Sequence, residues 1–567
     1  MNHPTPAIVS QAAARRLPRL ALLLFCVAYV LPGFIGRDAW KTEDMAALGF
    51  MTELLQGSSQ WGSPSLMGAP SESAALLPYW LGVWAMQWAP SWMEPDFAVR
   101  FPFGLLMALA LTATWYGTYY LGRSPKAQPV AFAFGGEASP ASYARAMADG
   151  GLLAFIACLG LAQLSHESTP ALAQLGFAAL FYFGVAALPY HSVIAVVAWL
   201  LGITGLTLSG APSIALMWGL GSSCIHYLDR TRGEHTTIHS KNISVQSVGL
   251  LAGSALVAVL AYRLDLWRWK IALPSVQWSD WSGYAQLLIW FTWPAWPLAL
   301  WTVWRWRHQL FTRRISRHLA LPFWLSSVSV AATLTTGSSD RTLLLALPAL
   351  ATLAAFALPT LKRSVAALID WFTLLFFSGC GLVIWVVWIA MQTGIPSQPA
   401  ANVARLAPGF EASFSFWAFG IALAATLVWA WLVHWRVGRH RAAIWKSLVL
   451  PAGGAALCWL LLMTLWMPLL NYSQGYKILV KRTITEISPR GCVETLGLGQ
   501  GQIAAFLVYG NLQLRPAQQT AACAWLLTEA GSDMAPPSSI NTNLWSLVTP
   551  VNHPTDMSQS VLLFRRR

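Results

Sequence analysis

Long apolar runs separated by short polar segments occupy most of the chain. An α-helix needs about 20 apolar residues to cross roughly 30 Å of hydrocarbon, so runs of this kind predict transmembrane helices. Thirteen such helices are predicted, at residues 17–35, 98–122, 149–164, 171–189, 191–209, 212–228, 246–262, 284–304, 318–336, 341–359, 366–392, 412–434 and 444–468. One further apolar stretch, 74–90, contains Pro78 and three tryptophans and is predicted to lie as a helix in the membrane interface.

The pattern changes after residue 468. The segment 469–567 is richer in Gln, Ser, Thr and Asn, and its apolar residues fall in short runs such as IAAFLVYG and SVLLFRRR. Short apolar runs bounded by turn-forming residues are typical of strands. We therefore predict an all-α polytopic membrane domain at 1–468, with a first outer loop at 36–97, followed by a small α/β domain at 469–567.

The composition excludes a soluble protein. Hydrophobic residues make up 56% of the 567 residues, only 10% are charged, and the mean hydropathy is +0.51. Soluble domains carry about 25% charged residues, and a chain with so few charges cannot cover a water-exposed surface. The same figures exclude disordered, collagen-like and coiled-coil chains. The length alone would suggest several soluble domains, and the composition rules them out.

The net charge of +14 sets the predicted orientation. Lys and Arg gather on the cytoplasmic side of membrane helices, so a basic excess in this chain does not indicate nucleic acid binding. With the N-terminus in the cytoplasm, 20 of the 36 basic residues fall on cytoplasmic segments. An odd number of spans then places the C-terminal domain in the periplasm. Cys492 and Cys523, the two cysteines outside the predicted spans, are expected to form a disulfide there.

Acidic residues are scarce, and the first outer loop holds the densest group of them. The charged residues of this loop include Asp38, Glu43, Asp44, Glu53, Glu72, Arg37 and Lys41. Carboxylates at a membrane surface can activate a nucleophile or bind a cation, and Arg and Lys beside them can hold a phosphate. The alternative is a solvated loop with charges of both signs. The sequence contains no CxxC or HExxH motif, which would indicate a structural metal site.

The order of motifs along the chain resembles the GT-C superfamily of membrane glycosyltransferases. Within it, the resemblance is to the group of 4-amino-4-deoxy-L-arabinose (lipid A) transferases and protein mannosyltransferases. The matching residues are Glu43-Asp44, Glu53-Leu54-Leu55-Gln56-Gly57, Trp61-Gly62-Ser63-Pro64, Glu72, Tyr79-Trp80, Val99-Arg100-Phe101-Pro102 and Ser339-Asp340-Arg341. Thirteen spans followed by a periplasmic domain also match the architecture of the group, so the resemblance covers most of the chain.

The second outer loop contains His166 and Glu167 as its only ionisable groups. The GT-C group has a second acidic site in this loop, usually an aspartate a little later, near Pro170. An acid set between two apolar helices is a functional hypothesis by default, because burial of a charge is costly. The alternative is a solvated helix cap. Glu167 is therefore predicted as the second acid of the site.

The resemblance implies a transferase that moves a sugar from a polyprenyl phosphate to an acceptor at the periplasmic face of a bacterial inner membrane. The implied acceptor is a lipid A-like glycolipid or a protein. The implied site residues are the catalytic acids Glu43, Asp44, Glu167 and Asp38, the donor phosphate contacts Lys41, Arg100, Arg341 and Arg37, and the substrate-positioning residues Glu72 and His166. A divalent metal on Glu43 and Asp44 stays open, and no other cofactor is implied.

Three departures from the group concern the donor. They are Ser73-Ala74 in place of Lys-Pro after Glu72, Leu208-Ser209-Gly210 without a lysine, and Leu343 or Leu344 in place of a tyrosine. These changes fall on the phosphate-binding set that the resemblance implies. The identity of the transferred sugar therefore stays open.

Two functions from other classes also stay open: a transporter or flippase of lipid-linked saccharides, and a non-catalytic membrane scaffold. Transporters tend to carry internal repeats and acids at mid-span. The sequence shows no repeat at a fixed period and no acid at the centre of a span, and Asp370 lies near a cytoplasmic helix end. The expected partners are a lipid-linked sugar, its acceptor and membrane lipid, without nucleic acid, and we expect a monomer.

Overall fold

The structure of the protein is a computed structural model. It describes residues 7–40, 42–229, 237–268, 278–310, 315–336, 340–437, 443–488, 491–517, 522–530, 540–541 and 543–567, with the backbone alone at 237–245 and at 437. Lys41, one of the predicted phosphate contacts, lies outside the described residues.

The described elements of the first half of the chain are helices and one short hairpin, formed by β1 (Ser65–Leu66) and β2 (Ala69–Pro70). Its described helices are α1 (Arg19–Val30), α2 (Glu43–Leu55), α3 (Leu77–Trp88), α4 (Pro95–Gly122), α5 (Pro140–Ala157), α6 (Leu161–Leu164), α7 (Pro170–Ala187), α8 (Ser192–Leu208) and α9 (Pro212–Leu228). Four of these helices begin at a proline. Proline suits the first helical position because its fixed φ is helical and its missing N–H would have no partner there.

The described helices of the second half continue the bundle. They are α10 (Thr237–Arg263), α11 (Trp278–Phe291), α12 (Ala295–Arg305), α13 (Arg307–Leu310), α14 (Arg317–Thr335), α15 (Asp340–Leu344), α16 (Leu347–Ala357), α17 (Arg363–Thr393), α18 (Ser397–Leu406), α19 (Phe416–Val437), α20 (Val449–Leu465), α21 (Met467–Gln474) and α22 (Lys477–Glu486). Three predicted spans are broken: 149–164 between α5 and α6, 284–304 between α11 and α12, and 341–359 between α15 and α16. Pro294 and Pro348 lie at the last two breaks, because proline cannot continue the helical hydrogen bonding.

A helix or a broken pair of helices lies at each of the thirteen predicted spans, and α3 forms within the stretch 74–90. By length and composition, seven described helices can cross a membrane: Pro95–Gly122, Pro170–Ala187, Gln246–Arg263, Arg317–Thr335, Arg363–Thr393, Phe416–Arg436 and Ile444–Leu465. Three shorter apolar helices accompany them, at Arg19–Gly33, Ser192–Leu208 and Leu347–Thr360. The predicted class of helical membrane protein is confirmed, whereas the count of thirteen spans stays a prediction.

Helix α7 is buried between α4 and α8 and packs backbone to backbone against α8. A Cβ at Gly184 would lie 2.5 Å from the backbone nitrogen of Trp199, and one at Gly202 would lie 2.4 Å from that of Phe181. Small residues allow this approach, which maximises van der Waals contact where the surrounding lipid offers no hydrophobic driving force. The packing of α7 thereby fixes the short loop 165–169 that precedes it.

After α22 the chain forms one helix and a five-stranded sheet. These elements are β3 (Cys492–Leu496), α23 (Gln500–Val508), β4 (Gln513–Pro516), β5 (Trp525–Glu529), β6 (Trp545–Val551) and β7 (Val561–Arg566). The strand order is β4-β3-β5-β7-β6; β3 is parallel to β4 and β5, and β7 is antiparallel to β5 and β6. A disulfide joins Cys492 to Cys523, just before β5. The predicted α/β character is confirmed, and the boundary at 469 stays a prediction.

The C-terminal domain sits on the first outer loop. A Cβ at Gly49 of α2 would lie 2.4 Å from the Cβ of Ala504 in α23, so these two helices are in close contact. The Nζ of Lys477 in α22 lies 2.8 Å from the carboxylate of Asp38. The first outer loop therefore lies between the helical bundle and the sheet. The end of the bundle that carries this loop and the C-terminal domain is called the upper end below.

Candidate active site

Five charged side chains from three segments of the chain meet at the upper end. They are Arg37 in the loop after α1, Glu43 and Asp44 at the start of α2, Glu167 before α7, and Arg341 in α15. These five residues are called the carboxylate–arginine cluster below. All five are among the site residues that the sequence predicts, and the structure brings them into one group.

Asp44 joins the first outer loop to the second. Its Oδ1 accepts a hydrogen bond of 2.8 Å from the backbone N–H of Ser168. Its Oδ2 accepts bonds from Arg37 Nη2 at 3.1 Å and from the backbone N–H of Trp40 at 3.3 Å. The first turn of α2 suits an acid, because the helix dipole favours negative charge there. Since Asp44 is buried and its oxygens are occupied, it organises the site and does not face a substrate.

Arg37 is buried and supplies positive charge behind the carboxylates. Its Nη1 donates a hydrogen bond of 2.8 Å to the carbonyl oxygen of His166. Its Nη2 bonds Asp44 and lies 4.0 Å from Glu167 Oε1. The guanidinium carbon lies 4.1 Å from the centroid of the Trp40 ring, which is a cation–π contact. A charge at this depth is stable only with partners of this kind, so the geometry gives Arg37 an internal role.

Glu167 is a buried carboxylate with an altered proton affinity. Its Oε1 accepts a hydrogen bond of 3.2 Å from Gln163 Nε2, and its Oε2 lies 3.1 Å from Arg341 Nη2. Burial and the nearby charge of Asp44 raise the pKa of Glu167 to about 7, although Arg37 and Arg341 oppose the shift. Carboxylates that titrate near neutral pH are concentrated at sites that move protons.

Glu43 and Arg341 form the accessible part of the cluster. Arg341 Nη1 lies 3.3 Å from Glu43 Oε2, while its Nη2 holds Glu167. The side chain of Glu43 is 50% exposed and that of Arg341 is 29% exposed, whereas the other three are buried. The Nε of Arg341 is buried and has no hydrogen-bond partner among the described residues. A ligand that approaches from the surface therefore meets this pair first.

Three hydroxyl groups form a hydrogen-bonded chain, and one of them, that of Tyr79, is near enough to Glu43 to feel its charge. The hydroxyl of Tyr79 shares a hydrogen bond of 2.7 Å with Ser71, and Ser71 shares one of 3.2 Å with Ser73. Burial raises the pKa of Tyr79 to about 12, and the nearby charge of Glu43 adds to the shift. Glu72, a predicted positioning residue, lies between the two serines and has an exposed side chain. Ser71, Ser73 and Tyr79 are called the hydroxyl wall; such groups can both donate to and accept from sugar hydroxyls.

Asp38 and Arg100 are predicted site residues that the structure places outside the cluster. Asp38 faces the C-terminal domain, where its carboxylate pairs with Lys477. Arg100 is buried at the start of α4, and its Nε donates a hydrogen bond of 3.1 Å to the carbonyl oxygen of Asp96. Among the described residues, neither side chain forms a hydrogen bond or an ion pair with the five residues of the cluster, although the positive charge of Arg100 acts on Arg37.

His166 is predicted to position a substrate, but the structure places its ring in the interior. The ring packs against Phe34 and Trp459 at centroid distances of 5.1 and 4.6 Å, and its Nε2 lies 3.1 Å from the carbonyl oxygen of Tyr29. Burial lowers the pKa of His166 to about 4, so the ring is neutral. A Cβ at Gly33 would lie 2.2 Å from it, which leaves no room for a ligand. The side chain of His166 is therefore a packing group.

The sequence did not indicate the uncharged groups of the site, which are Trp40, Gln163, Ser71 and Ser73. Trp40 is one of 32 tryptophans, and only its position four residues before Asp44 could have suggested the shared contact with Arg37. Tyr79 was visible as part of a motif, without a role. Among the described residues, no group of three or more His, Cys, Asp or Glu side chains is arranged to hold a metal ion. The arrangement can bind an anion at Arg341 and accept a proton at Glu43.

ArnT, a protein of solved structure, shares this fold. The chain aligns with ArnT from Cupriavidus metallidurans bound to undecaprenyl phosphate at a TM-score of 0.59 and 12% identity, over 97% of this chain and 98% of ArnT. The apo structure of the same ArnT aligns at a TM-score of 0.56 and 12% identity, over 96% and 97% of the two chains. An oligosaccharyltransferase from Archaeoglobus fulgidus aligns at 0.40 and 10% identity, over 90% of this chain and 69% of that one.

At this level of identity, the likeness to ArnT shows the fold alone: the chain has a GT-C fold with a small C-terminal sheet domain. No protein-family model matches the sequence, and no curated protein matches it.

Proposed function

We propose that the protein is a membrane glycosyltransferase that moves a sugar from a polyprenyl phosphate carrier to an envelope acceptor, which is a glycolipid or a protein. The observation that carries the proposal is the exposed pair of Glu43 and Arg341 at the mouth of a buried charged cluster. The fold supports it, because the solved neighbour that aligns over 97% of this chain was bound to undecaprenyl phosphate.

Arg341 is the proposed contact for the donor phosphate. A guanidinium binds phosphate oxygens through two parallel N–H bonds, and its charge offsets the charge that develops on a leaving phosphate. In the structure, Nη1 and Nη2 of Arg341 are held by Glu43 and Glu167. A phosphate that takes over the Nη1 contact frees the carboxylate of Glu43. Donor binding then releases the base at the place where it is needed.

Glu43 is the proposed base for an acceptor hydroxyl. The acceptor oxygen forms a bond to the anomeric carbon of the sugar, and the bond from that carbon to the carrier phosphate breaks. The phosphate leaves with the electron pair of the broken bond, and the proton of the acceptor passes to the carboxylate of Glu43. If the acceptor is a phosphate, it carries no proton to remove, and Glu43 acts in positioning it. The charge of Glu43 acts on Tyr79 of the hydroxyl wall, which supports the wall as the proposed contact for the sugar.

The proposed location is the periplasmic face of a bacterial inner membrane. The distribution of basic residues supports this orientation of the helices. The disulfide between Cys492 and Cys523 lies in the domain at the same end as the cluster, and disulfides persist in oxidising compartments. Both observations support a location of the upper end outside the cytoplasm.

Binding of undecaprenyl phosphate to the purified protein tests the role of Arg341. Arg341→Ala removes a charged contact and is expected to weaken binding about tenfold or more, as measured by microscale thermophoresis in detergent. Arg405→Ala is the matched control, since Arg405 lies in the exposed helix α18 outside the cluster. Equal affinity of wild type and Arg341→Ala contradicts the assignment, and no binding to the wild type contradicts the proposed donor.

A further inference from the structure

Asn471 in α21 makes three hydrogen bonds to the segment that carries Arg37. Its Nδ2 donates to the carbonyl oxygen of Gly36 at 3.0 Å. Its Oδ1 accepts from the backbone N–H of Asp38 at 3.1 Å and from the indole N–H of Trp40 at 3.0 Å. The amide therefore grips the chain immediately before and after Arg37. Asn471 lies more than 430 positions along the chain from residues 36–40, so these hydrogen bonds exist only in the folded protein.

Trp40 connects Asn471 to the carboxylate–arginine cluster, because it contacts both Asn471 and Arg37. The indole of Trp40 is buried, and the guanidinium carbon of Arg37 lies over it, 4.1 Å from the ring centroid. The backbone N–H of Trp40 donates to Asp44, and Trp40 also forms an isolated β-bridge with Gly475, just after α21. The hydrogen bond from the indole N–H to Asn471 holds the orientation of the Trp40 ring. The ring in turn packs against one face of the Arg37 guanidinium.

Lys477 adds a second anchor from the same part of the chain. Its Nζ lies 2.8 Å from Asp38 and 3.6 Å from Asp96, and 5.1 Å from the centroid of the Tyr509 ring. Asp38 is thus held by α21 through its backbone and by α22 through its carboxylate. Two consecutive helices that begin the C-terminal part of the chain hold the residue next to Arg37.

We infer that Asn471 is a positioning residue of the active site, which holds Trp40 and the backbone of residues 36–40 so that the Arg37 guanidinium stays against Asp44 and Glu167. The inference rests on the proposed function. Asn471 has no contact with the exposed pair, Glu43 and Arg341, in the structure. Its loss is therefore expected to affect the chemical step and to leave donor binding unchanged. A misplacement of about 1 Å in such a group can lower a rate by about 100-fold.

The test compares kcat for sugar transfer with the affinity for undecaprenyl phosphate. Asn471→Ala is expected to lower kcat by roughly 10- to 100-fold while the Kd for undecaprenyl phosphate changes by less than about twofold. Asn402→Ala is the control, because Asn402 lies in helix α18, away from the cluster, where its Oδ1 accepts a hydrogen bond from Arg405. Thermal unfolding and the Cys492–Cys523 disulfide report whether each variant is folded.

A double-mutant cycle tests whether Asn471 acts through Trp40. Trp40→Phe keeps an aromatic ring against Arg37 but removes the indole N–H. If Asn471 works through that N–H, the double variant is expected to lose less kcat than the product of the two single losses. If the two side chains act independently of each other, the losses in kcat multiply.

The outcomes separate this inference from the proposed function. A wild-type protein that transfers no sugar from any polyprenyl phosphate donor overturns the proposed function and this inference with it. An active wild type with unchanged kcat in Asn471→Ala overturns the inference alone, and so do losses that multiply in the cycle. A tenfold loss of undecaprenyl phosphate affinity in Asn471→Ala also overturns it, because it would place Asn471 in donor binding.

Discussion

Glu167 lies 3.1 Å from one arginine and 4.0 Å from another, yet it holds its proton more tightly than a free glutamate. Burial disfavours the charged form, and the adjacent Asp44 disfavours it further. Asp44 keeps its own acceptor sites occupied by Arg37, Trp40 and Ser168. The three acids of the cluster therefore have different environments. Both oxygens of Asp44 accept hydrogen bonds, Glu167 is buried with a raised pKa, and Glu43 is open to a ligand.

The pKa of Glu167 predicts a pH-dependent stability. The folded value of about 7 lies above the ordinary value of 4.5, so between these pH values the folded protein binds more protons than the unfolded chain. Stability from this group therefore falls as pH rises from about 4.5 to about 7. Glu167→Gln removes the titration, and the melting temperature of wild type relative to this variant is expected to fall across that window.

Thermal unfolding in detergent at a series of pH values measures this difference. Glu411→Gln is the control, since Glu411 is exposed in the loop between α18 and α19, and its difference from wild type should stay flat. If the difference in melting temperature between wild type and Glu167→Gln is constant from pH 4.5 to 7, the assigned environment of Glu167 is contradicted.

At the residue scale, the sequence could indicate which charges matter because charges are rare in this chain. The sequence could not show which of these charged residues are buried and which are open to a ligand. Glu43 and Asp44 are neighbours with similar chemistry, and only the fold exposes the first and buries the second. His166 was indistinguishable from a ligand-binding histidine until its neighbours Phe34 and Trp459, from distant parts of the chain, were known.

At the element scale, the loop after α8 supports the hydroxyl wall. Gly210 has a φ of +91°, and a Cβ there would lie 2.1 Å from the backbone oxygen of Ser73. The N–H of Leu76 donates a hydrogen bond of 2.8 Å to the carbonyl oxygen of Leu208. Together these contacts hold the segment 71–76, which carries Ser71 and Ser73 of the hydroxyl wall. Ala74 in this segment has a φ of +46°, a strained conformation for a residue other than glycine.

Gly210→Ala is therefore expected to displace the hydroxyl wall. The added methyl group meets a backbone atom that cannot move away cheaply, and the positive φ adds about 1–2 kcal/mol of strain. We expect at least a tenfold lower transfer rate and a lower melting temperature than wild type. Gly394→Ala is the matched control, because Gly394 has a φ of +75° but nothing within 4 Å of a Cβ. Equal transfer rates in the two variants contradict the supporting role of Gly210.

The elements were the most predictable level of the structure. A bilayer demands long apolar runs, so a helix lies at every predicted span. The breaks at Pro294 and Pro348 were not predicted, because apolarity alone does not reveal where a run stops being helical. Helix α5 begins at Pro140, well before the predicted 149, since its first turns are less apolar but still packed inside the protein.

At the scale of the whole molecule, the disulfide stabilises the domain that rests on the first outer loop. Cys492 and Cys523 are 31 residues apart, and a crosslink that closes a loop of this size contributes about 3–4 kcal/mol in the chain-entropy model. Cys492→Ser is expected to lower the stability of the C-terminal domain by about this amount, as measured by its resistance to limited proteolysis in urea. Cys224→Ser, which replaces a free cysteine of α9, should match wild type. Equal resistance of all three proteins contradicts the prediction.

The contacts that join distant parts of the chain were the least predictable. The cluster unites residues 37, 44, 167 and 341, and Asn471 reaches back to residues 36–40. No local pattern encodes such pairs, because each depends on how the helices stack. The resemblance to the GT-C group supplied the expectation that the loops meet, and the fold confirms that class of architecture. The donor sugar and the acceptor belong to the proposal.

The central claim is that this molecule transfers a sugar at Glu43. The most direct test is mass spectrometry of envelope glycolipids and glycoproteins from cells that lack the gene, complemented with wild type, Glu43→Gln or Glu411→Gln. We predict that one envelope component loses the mass of one sugar in the deletion strain. Wild type and Glu411→Gln should restore that mass, and Glu43→Gln should not. An envelope unchanged by the deletion, or full restoration by Glu43→Gln, would contradict the account.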